Sequence, residues 1–500
     1  MPEKTLTGSA REGAVEAPPT ASSKRWWILA IIAVAQLMVV LDATIVNIAL
    51  PSAQADLGFS DGNRQWIVTA YALAFASLLL LGGRIADLFG RKPAFLIGVA
   101  GFAGASVLGG AATGFEMLVV ARALQGAFGA LLAPAALSLL NTTFTDARER
   151  ARAFSVYGAI AGAGGAVGLL LGGILTDALD WRWTLFVNVP IAALALVGGW
   201  LLLSNHRDAA NSKLDVPGTL LVAGGLFGLV YGFSNAETHD WGSPQSWGYL
   251  LAGGVLLAAF AWWQTRAPHP LLPLRILLDR NRGASFLAVL VSGAGMFGVF
   301  LFLTYYLQLN LGFSPTKTGV AFLPMVGALM VAAQLGTTVL LPRMGPKALV
   351  PLGFGIATAG MAWLTGIGVG SSYVSAVLPQ LIVIGAGLGL VMPTTMQLAT
   401  GGVAAEDAGV ASATVNAMQQ AGGSIGTALL NTLAASAAAD YLAGKDATSR
   451  MVQAQATIES YTTAFWWSAG FFAAGALIAF LLFRRGVPEE DASAAPVVHM

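Results

Sequence analysis

The feature that most constrains this chain is a succession of fourteen apolar runs, each near the length of a bilayer crossing. A helix needs about 20 predominantly apolar residues to cross a hydrocarbon core of about 30 Å. The runs lie near 26–50, 66–83, 94–112, 115–140, 153–176, 184–203, 217–235, 247–264, 284–310, 318–341, 348–368, 373–398, 408–435 and 462–483. Only 10% of the 500 residues are charged, against about 25% in soluble domains. The expected fold is an all-α polytopic membrane protein, because a helix satisfies its backbone groups internally where water is absent.

Charge placement tests the number of crossings. With the N-terminus cytoplasmic, the inner segments hold 20 of the 26 Lys and Arg. The outer segments hold Arg64, Arg182, Lys317, Lys445 and Arg450, and Arg122 lies within a run. This asymmetry follows the positive-inside rule. One missed crossing would invert every later loop. Both termini are therefore expected on the cytoplasmic side of the cell membrane, with 1–25 as a disordered tail and 484–500 as a second tail.

The chain also repeats. LGFS at Leu57–Ser60 returns at Leu311–Ser314, 254 residues on, and GRK at Gly90–Lys92 returns as GPK at Gly345–Lys347, 255 on. AGGAVG at Ala163–Gly168 returns as AGGSIG at Ala421–Gly426, 258 on. Three matches at nearly one offset predict two six-helix bundles, 26–203 and 284–483. The segment 204–283 holds linkers and two inserted crossings between them. Parallel repeats flanking a midplane site are a transporter architecture.

Other classes find little support. There is no cysteine, no HExxH, and the histidines His206, His239, His269 and His499 fall in loops or a tail. No metal, cofactor or enzymatic centre is expected. No basic stripe interleaved with aromatics points to nucleic acid.

Chemistry concentrates in the first half. Asp42 lies about 15 residues into its run from Trp27, roughly 22 Å along a helix. A carboxylate at that depth costs roughly 2.5–3.5 kcal/mol, so it reads as a proton site whose burial favours the protonated form. Thr44 and Asn47 lie near it on the helix and are expected to bond to it or to substrate. Arg122, in ARALQG (Ala121–Gly126), lies at comparable depth and needs a partner. Asp42, directly or through Gln125, is the expected one.

GGRIADLFGRKP (Gly82–Pro93) ends the second run in a turn carrying Gly83, Asp87, Gly90, Arg91 and Lys92, expected to hold an inner gate. Gly164, Gly168 and Gly172 are four apart, with Gly173 beside them, and form a small-residue face for a neighbouring helix. The second half has no acid deep in a run; Glu406 and Asp407 sit at an inner mouth. Its candidate cavity residues are Tyr305, Gln334, Met396, Gln397, Asn416, Gln419 and Gln420.

These motifs resemble the major facilitator superfamily, in particular its fourteen-helix drug:proton antiporter branch. LDATIVNIALP (Leu41–Pro51) resembles the branch's first-helix motif, GGRIADLFGRK the loop motif between helices two and three, and ARALQG the fourth-helix motif. WRWTLFVNVP (Trp181–Pro190) is also typical of the branch. The resemblance implies proton coupling through Arg122, a small lipophilic substrate, lipid surroundings and a monomer. It departs at Leu169, where the antiporter motif has proline. The function expected is proton-driven efflux of lipophilic, neutral or weakly charged toxic compounds. Uptake symport and export of a cell-envelope lipid precursor are the alternatives.

Overall fold

The computed structural model describes residues 20–144, 146–204, 215–239, 242–268, 270–401, 403, 408–446 and 448–486, and all regular structure among them is helical. Glu406, Asp407, linker residues 205–214 and the tails before 20 and after 486 lie outside these residues.

The first bundle comprises α1 (Thr20–Leu57), α2 (Asp61–Phe89), α3 (Arg91–Gly110), α4 (Phe115–Thr143), α5 (Ala147–Ala178) and α6 (Trp183–Leu202). The inserted pair is α7 (Val216–His239) and α8 (Pro244–Gln264). The second bundle comprises α9 (Arg280–Asn310), α10 (Pro315–Met344), α11 (Pro346–Leu364), α12 (Tyr373–Thr400), α13 (Ala408–Leu442) and α14 (Arg450–Leu482). Twelve of these are long and apolar enough to cross a membrane. The other two are α5, which contributes the apolar stretch Gly164–Ala178, and α13, 35 residues rich in Ala, Ser and Thr. Fourteen crossings are compatible with this set. One correction concerns the tail: α1 begins at Thr20, so residues 20–25 are helical.

The repeats fold alike. Gly58 and Gly312 have φ of 67° and 63°, and each precedes an extended serine that opens the next helix, Ser60 and Ser314. Gly90 and Gly345, at φ of 103° and 70°, sit between consecutive helices. Positive φ is readily reached only by glycine, so both matched motifs are turns of the same kind. In the third match, Gly164 and Gly168 pack on Val40 and Thr44 of α1, while Gly422 and Gly426 pack on Leu290 and Ala294 of α9. Without a hydrophobic force between helices in lipid, such close approaches are what hold them together.

We call the side where α1 begins proximal and the other side distal. The buried apolar core is shared between bundles distally, where Ile45, Ile48 and Ala49 of α1 join Leu303 and Leu307 of α9. The proximal core of the first bundle, including Ile32, Phe95 and Leu140, is a separate cluster touched by Ala413 and Ala417 of α13. Four hydrogen bonds between bundles are also distal. Tyr305 donates to Gln54 at 2.5 Å, Gln308 to the Ile48 carbonyl at 2.9 Å, and the Thr316 amide to Asp177 at 2.8 Å. Arg64 Nε donates to Asn431 Oδ1 at 3.3 Å, with its guanidinium 4.4 Å from the Tyr305 ring centre.

The inserted pair is central in sequence but not in space. Leu226 and Val230 of α7 pack on α2 and α13, against Leu73, Ala76, Ala421 and Ala428 at the seam between bundles. Asp215 opens α7 by accepting from the Gly218 amide at 2.9 Å, and it also accepts from Trp263 and Gln264 of α8 at 2.7 and 2.9 Å. Burial pushes the Asp215 carboxyl up, but these donors outweigh it and hold it below the ordinary carboxylate value.

Candidate functional site

Five helices of the first bundle converge on Asp42, which is fully buried at 0% exposure, with Arg122 at 1%. Arg122 Nη1 donates to Asp42 Oδ2 at 2.5 Å, a short charge-assisted bond. Gln125 Nε2 donates to Asp42 Oδ1 at 2.7 Å and to Ser106 Oγ at 2.8 Å. Its Oε1 accepts from Arg122 at 2.9 Å. Asn188 Nδ2 donates to Asp42 Oδ1 at 2.9 Å and to Ser106 Oγ at 3.2 Å. Arg122 Nε reaches the Ile67 carbonyl at 3.0 Å, and its guanidinium lies 4.5 Å from the Tyr71 ring centre.

The local sequence explains the convergence. Gly126 lies one turn beyond Arg122, and a Cβ there would collide with the Tyr71 carbonyl. Glycine thus lets α4 close on α2 and sets Arg122 against Tyr71. Ser106 comes from α3, its hydroxyl donating to the Phe102 carbonyl at 2.9 Å. Asn188 comes from the first turn of the main segment of α6. Desolvating two charges costs several kcal/mol per ion, and only good geometry with further hydrogen bonds repays it. The amides of Gln125 and Asn188 supply those bonds.

The structure brings Asp42, Arg122 and Gln125 together as the sequence suggests, and it separates Thr44 and Asn47 from them. The Thr44 hydroxyl donates to the Val40 and Leu41 carbonyls, and Asn47 Nδ2 to the Ala43 carbonyl. Both bond to their own helix, and Thr44 faces Gly168. Gly172 packs on Ile45 of α1, whereas Gly173 meets Pro315 and Thr316 of α10 across the distal seam. Leu169 is 1% exposed and its carbonyl meets Gly319 of α10. The helix-five motif thus serves two partners, α1 and α10.

In the loop motif, Lys92 Nζ donates to the Trp200 and Leu203 carbonyls, both at 2.7 Å, and so closes the end of α6. Arg84 donates to the Pro270 carbonyl at 3.1 Å. Gly83 makes ordinary contact with Pro134, and it is Gly82 whose Cβ would collide with the Ala130 carbonyl of α4. Asp87 lies in α2, and its side chain falls outside the described residues. Arg91 opens α3.

Of the second-bundle candidates, Tyr305 is 1% exposed and belongs to the distal seam rather than to a cavity wall. Gln334, Met396 and Gln397 are exposed; Asn416, Gln419 and Gln420 are half-buried, with Asn416 Nδ2 on the Ser412 carbonyl. Three residues of the Asp42 site went unassigned in the sequence reading: Ser106, Tyr71 and Asn188. Asn188 carried a signal, as a lone amide among apolar residues of α6. Arg64 is a further buried cation, 6% exposed, within the first turn of α2.

Residues 32–427 match the profile of the Major Facilitator Superfamily. A puromycin resistance protein of Streptomyces alboniger is 48% identical, covering 97% of this chain and 98% of its own. The cephamycin export protein CmcT of Amycolatopsis lactamdurans is 37% identical, covering 86% and 89%. A probable actinorhodin transporter of Streptomyces coelicolor is 37% identical, covering 85% and 75%. Among solved structures, an auto-inhibited POT family peptide transporter superposes with a TM-score of 0.65 at 17% identity, covering 94% and 98%. A bacterial homologue of the human lysosomal transporter Spinster, inward-facing and unoccupied, superposes at 0.62 and 18% identity, covering 93% and 98%. The solved structures share the fold.

Proposed function

Because the chain belongs to the Major Facilitator Superfamily, we propose that it exports small toxic compounds or antibiotics in exchange for protons, by alternating access. The observation that carries this reading is the fully buried Asp42–Arg122 pair. The names of the resistance and export relatives support the direction and the class of substrate. The proximal side is read as cytoplasmic, with both termini there.

In the state described, the bundles are clamped distally. Rocking about the centre breaks the distal bonds of Tyr305, Gln308 and Arg64 and admits a proton from outside. Protonation cancels the charge on Asp42 and so weakens its hold on Arg122. Arg122 retains the Ile67 carbonyl, Gln125 Oε1 and the Tyr71 face, and is free to shift without being stranded. The membrane potential contributes about 2.3 kcal/mol per charge per 100 mV, nearly fifty-fold in accumulation. The second bundle holds no buried carboxylate among the described residues, which favours lipophilic, neutral or weakly charged substrates.

A growth-inhibition screen across diverse toxic compounds in an efflux-deficient host tests the proposal. The parent is expected to raise tolerance to a subset. Asp42→Asn is expected to return tolerance to that of the host at unchanged membrane abundance. Full tolerance from the variant contradicts the proposal.

A further inference from the structure

Asp42 is surrounded by donors: Arg122 Nη1, Gln125 Nε2 and Asn188 Nδ2. An ionised carboxylate only accepts, so this shell fits it. A protonated carboxyl carries an O–H and needs an acceptor, and an unsatisfied buried donor costs about 1–3 kcal/mol. Gln125 Oε1 already accepts from Arg122. Asn188 Oδ1, on a side chain 0% exposed, has no hydrogen-bond partner. It is the acceptor held in reserve.

We propose that Asn188 is a positioning residue for proton exchange at Asp42, its amide turning over as the carboxyl is loaded. With Asp42 ionised, Nδ2 faces Oδ1, as observed. With Asp42 protonated, a half-turn about the last side-chain bond brings the Asn188 oxygen to the same place, where it accepts the Asp42 O–H. The same turn carries Nδ2 from Asp42 and Ser106 to the place where Oδ1 has no partner. The two ends of an amide are nearly equal in shape, so their hydrogen-bond partners decide which end faces which. Ser106 can follow, because its hydroxyl can leave the Phe102 carbonyl and donate to the turned oxygen. No proton is gained or lost in the turn; the proton stays on Asp42. The other groups facing the site are Tyr71 from α2 and Arg122 from α4, while α3 and α6 contribute the neutral Ser106 and Asn188. The inference rests on Asp42 being the exchanging group.

The test is pH-difference infrared spectroscopy of the purified full chain in lipid nanodiscs, with carbonyl-labelled asparagine. In the parent, acidification is expected to give the carboxylic band of Asp42 together with a shifted asparagine carbonyl band. Asp42→Asn, whose new amide does not titrate, is expected to lose both. Asn188→Leu, similar in size but without an acceptor, is expected to lose the asparagine band and move the carboxylic band to higher wavenumber. Asn188→Thr, whose hydroxyl accepts or donates at one atom, is expected to keep the carboxylic band near its parental position. Absence of an asparagine band in the parent, or an unmoved carboxylic band in Asn188→Leu, overturns the proposal. The parent measurement decides even where the Leu variant fails to fold. A titrating Asp42 with a silent Asn188 refutes this inference alone, whereas retained tolerance in Asp42→Asn refutes proton-driven export.

Discussion

The two bundles are built on one repeated plan and differ in charge. At the offset relating Gly58 to Gly312, Asp42 falls on Met296; at the offset relating Gly168 to Gly426, Arg122 falls on Gln380. Around Asp42, both carboxylate oxygens and the guanidinium have partners. In the second bundle, Gln380 Oε1 and the hydroxyls of Ser292, Thr304 and Ser468 are buried without one. A neutral unsatisfied group costs about 1–3 kcal/mol, whereas an unpaired charge costs several. Loose neutral ends occur in the first bundle too, at Thr69 Oγ1 and Asn188 Oδ1. The difference lies in the ion pair, whose charged groups are both partnered, while the second bundle buries only neutral polar groups among the described residues. One repeat thus carries a buried ion pair, and the other presents neutral side chains at the matching positions.

The sharpest way to break this comparison is to exchange the paired positions for leucine. Arg122→Leu leaves Asp42 buried beside amides alone and is expected to destabilise by about 3–5 kcal/mol. Gln380→Leu removes a loose end and is expected to change stability by less than about 1 kcal/mol. Thermal unfolding in detergent compares them, and equal losses would refute this contrast. Next in size, Gly168→Val and Gly426→Val should each cost about 1–3 kcal/mol by overpacking. Similar costs in both would show that the two glycine faces do the same job.

A smaller effect is expected at the seam where the halves meet. Tyr305→Phe removes the bond to Gln54, worth about 1 kcal/mol, and should shift the population roughly fivefold toward the distally open state. The chain has no native cysteine, so spin labels on introduced cysteines at the distal ends of α1 and α9 would report the change. Comparable in size, Asp215→Asn sets an amide donor against Gln264 Nε2 and should cost about 1 kcal/mol while leaving transport unchanged. Because the Asp215 carboxyl is held low, its contribution is complete above the unfolded value of about 3.9. It is lost only as pH falls through the lower folded value. Unfolding of Asp215→Asn and parent should therefore converge in acid and differ at neutral pH.

Much of this was legible in the sequence, for reasons of cost. Buried charges are expensive, so Asp42 and Arg122 stand out by depth alone, and Gln125 follows on the same helix as Arg122. The repeats were legible because positive-φ glycines recur where the chain turns. Thr44 and Asn47 do not reach Asp42, because nearness along the helix is not a shared face. At about 100° per residue they point roughly 160° and 140° away from Asp42. Ser106 was hidden because small polar groups in membrane helices usually serve packing, whereas Asn188 stood within WRWTLFVNVP as a lone amide without a role assigned to it. The docking of α7 at the seam between bundles left no mark, since its apolar face carries no charge or motif that fixes its neighbour.

The most direct measurement is of proton movement itself. In proteoliposomes containing a trapped pH dye, adding an exported compound should drive a pH change across the membrane with the parent protein. Asp42→Asn, reconstituted in equal amount, should give none. A compound-driven pH change of parental size from that variant would contradict the account.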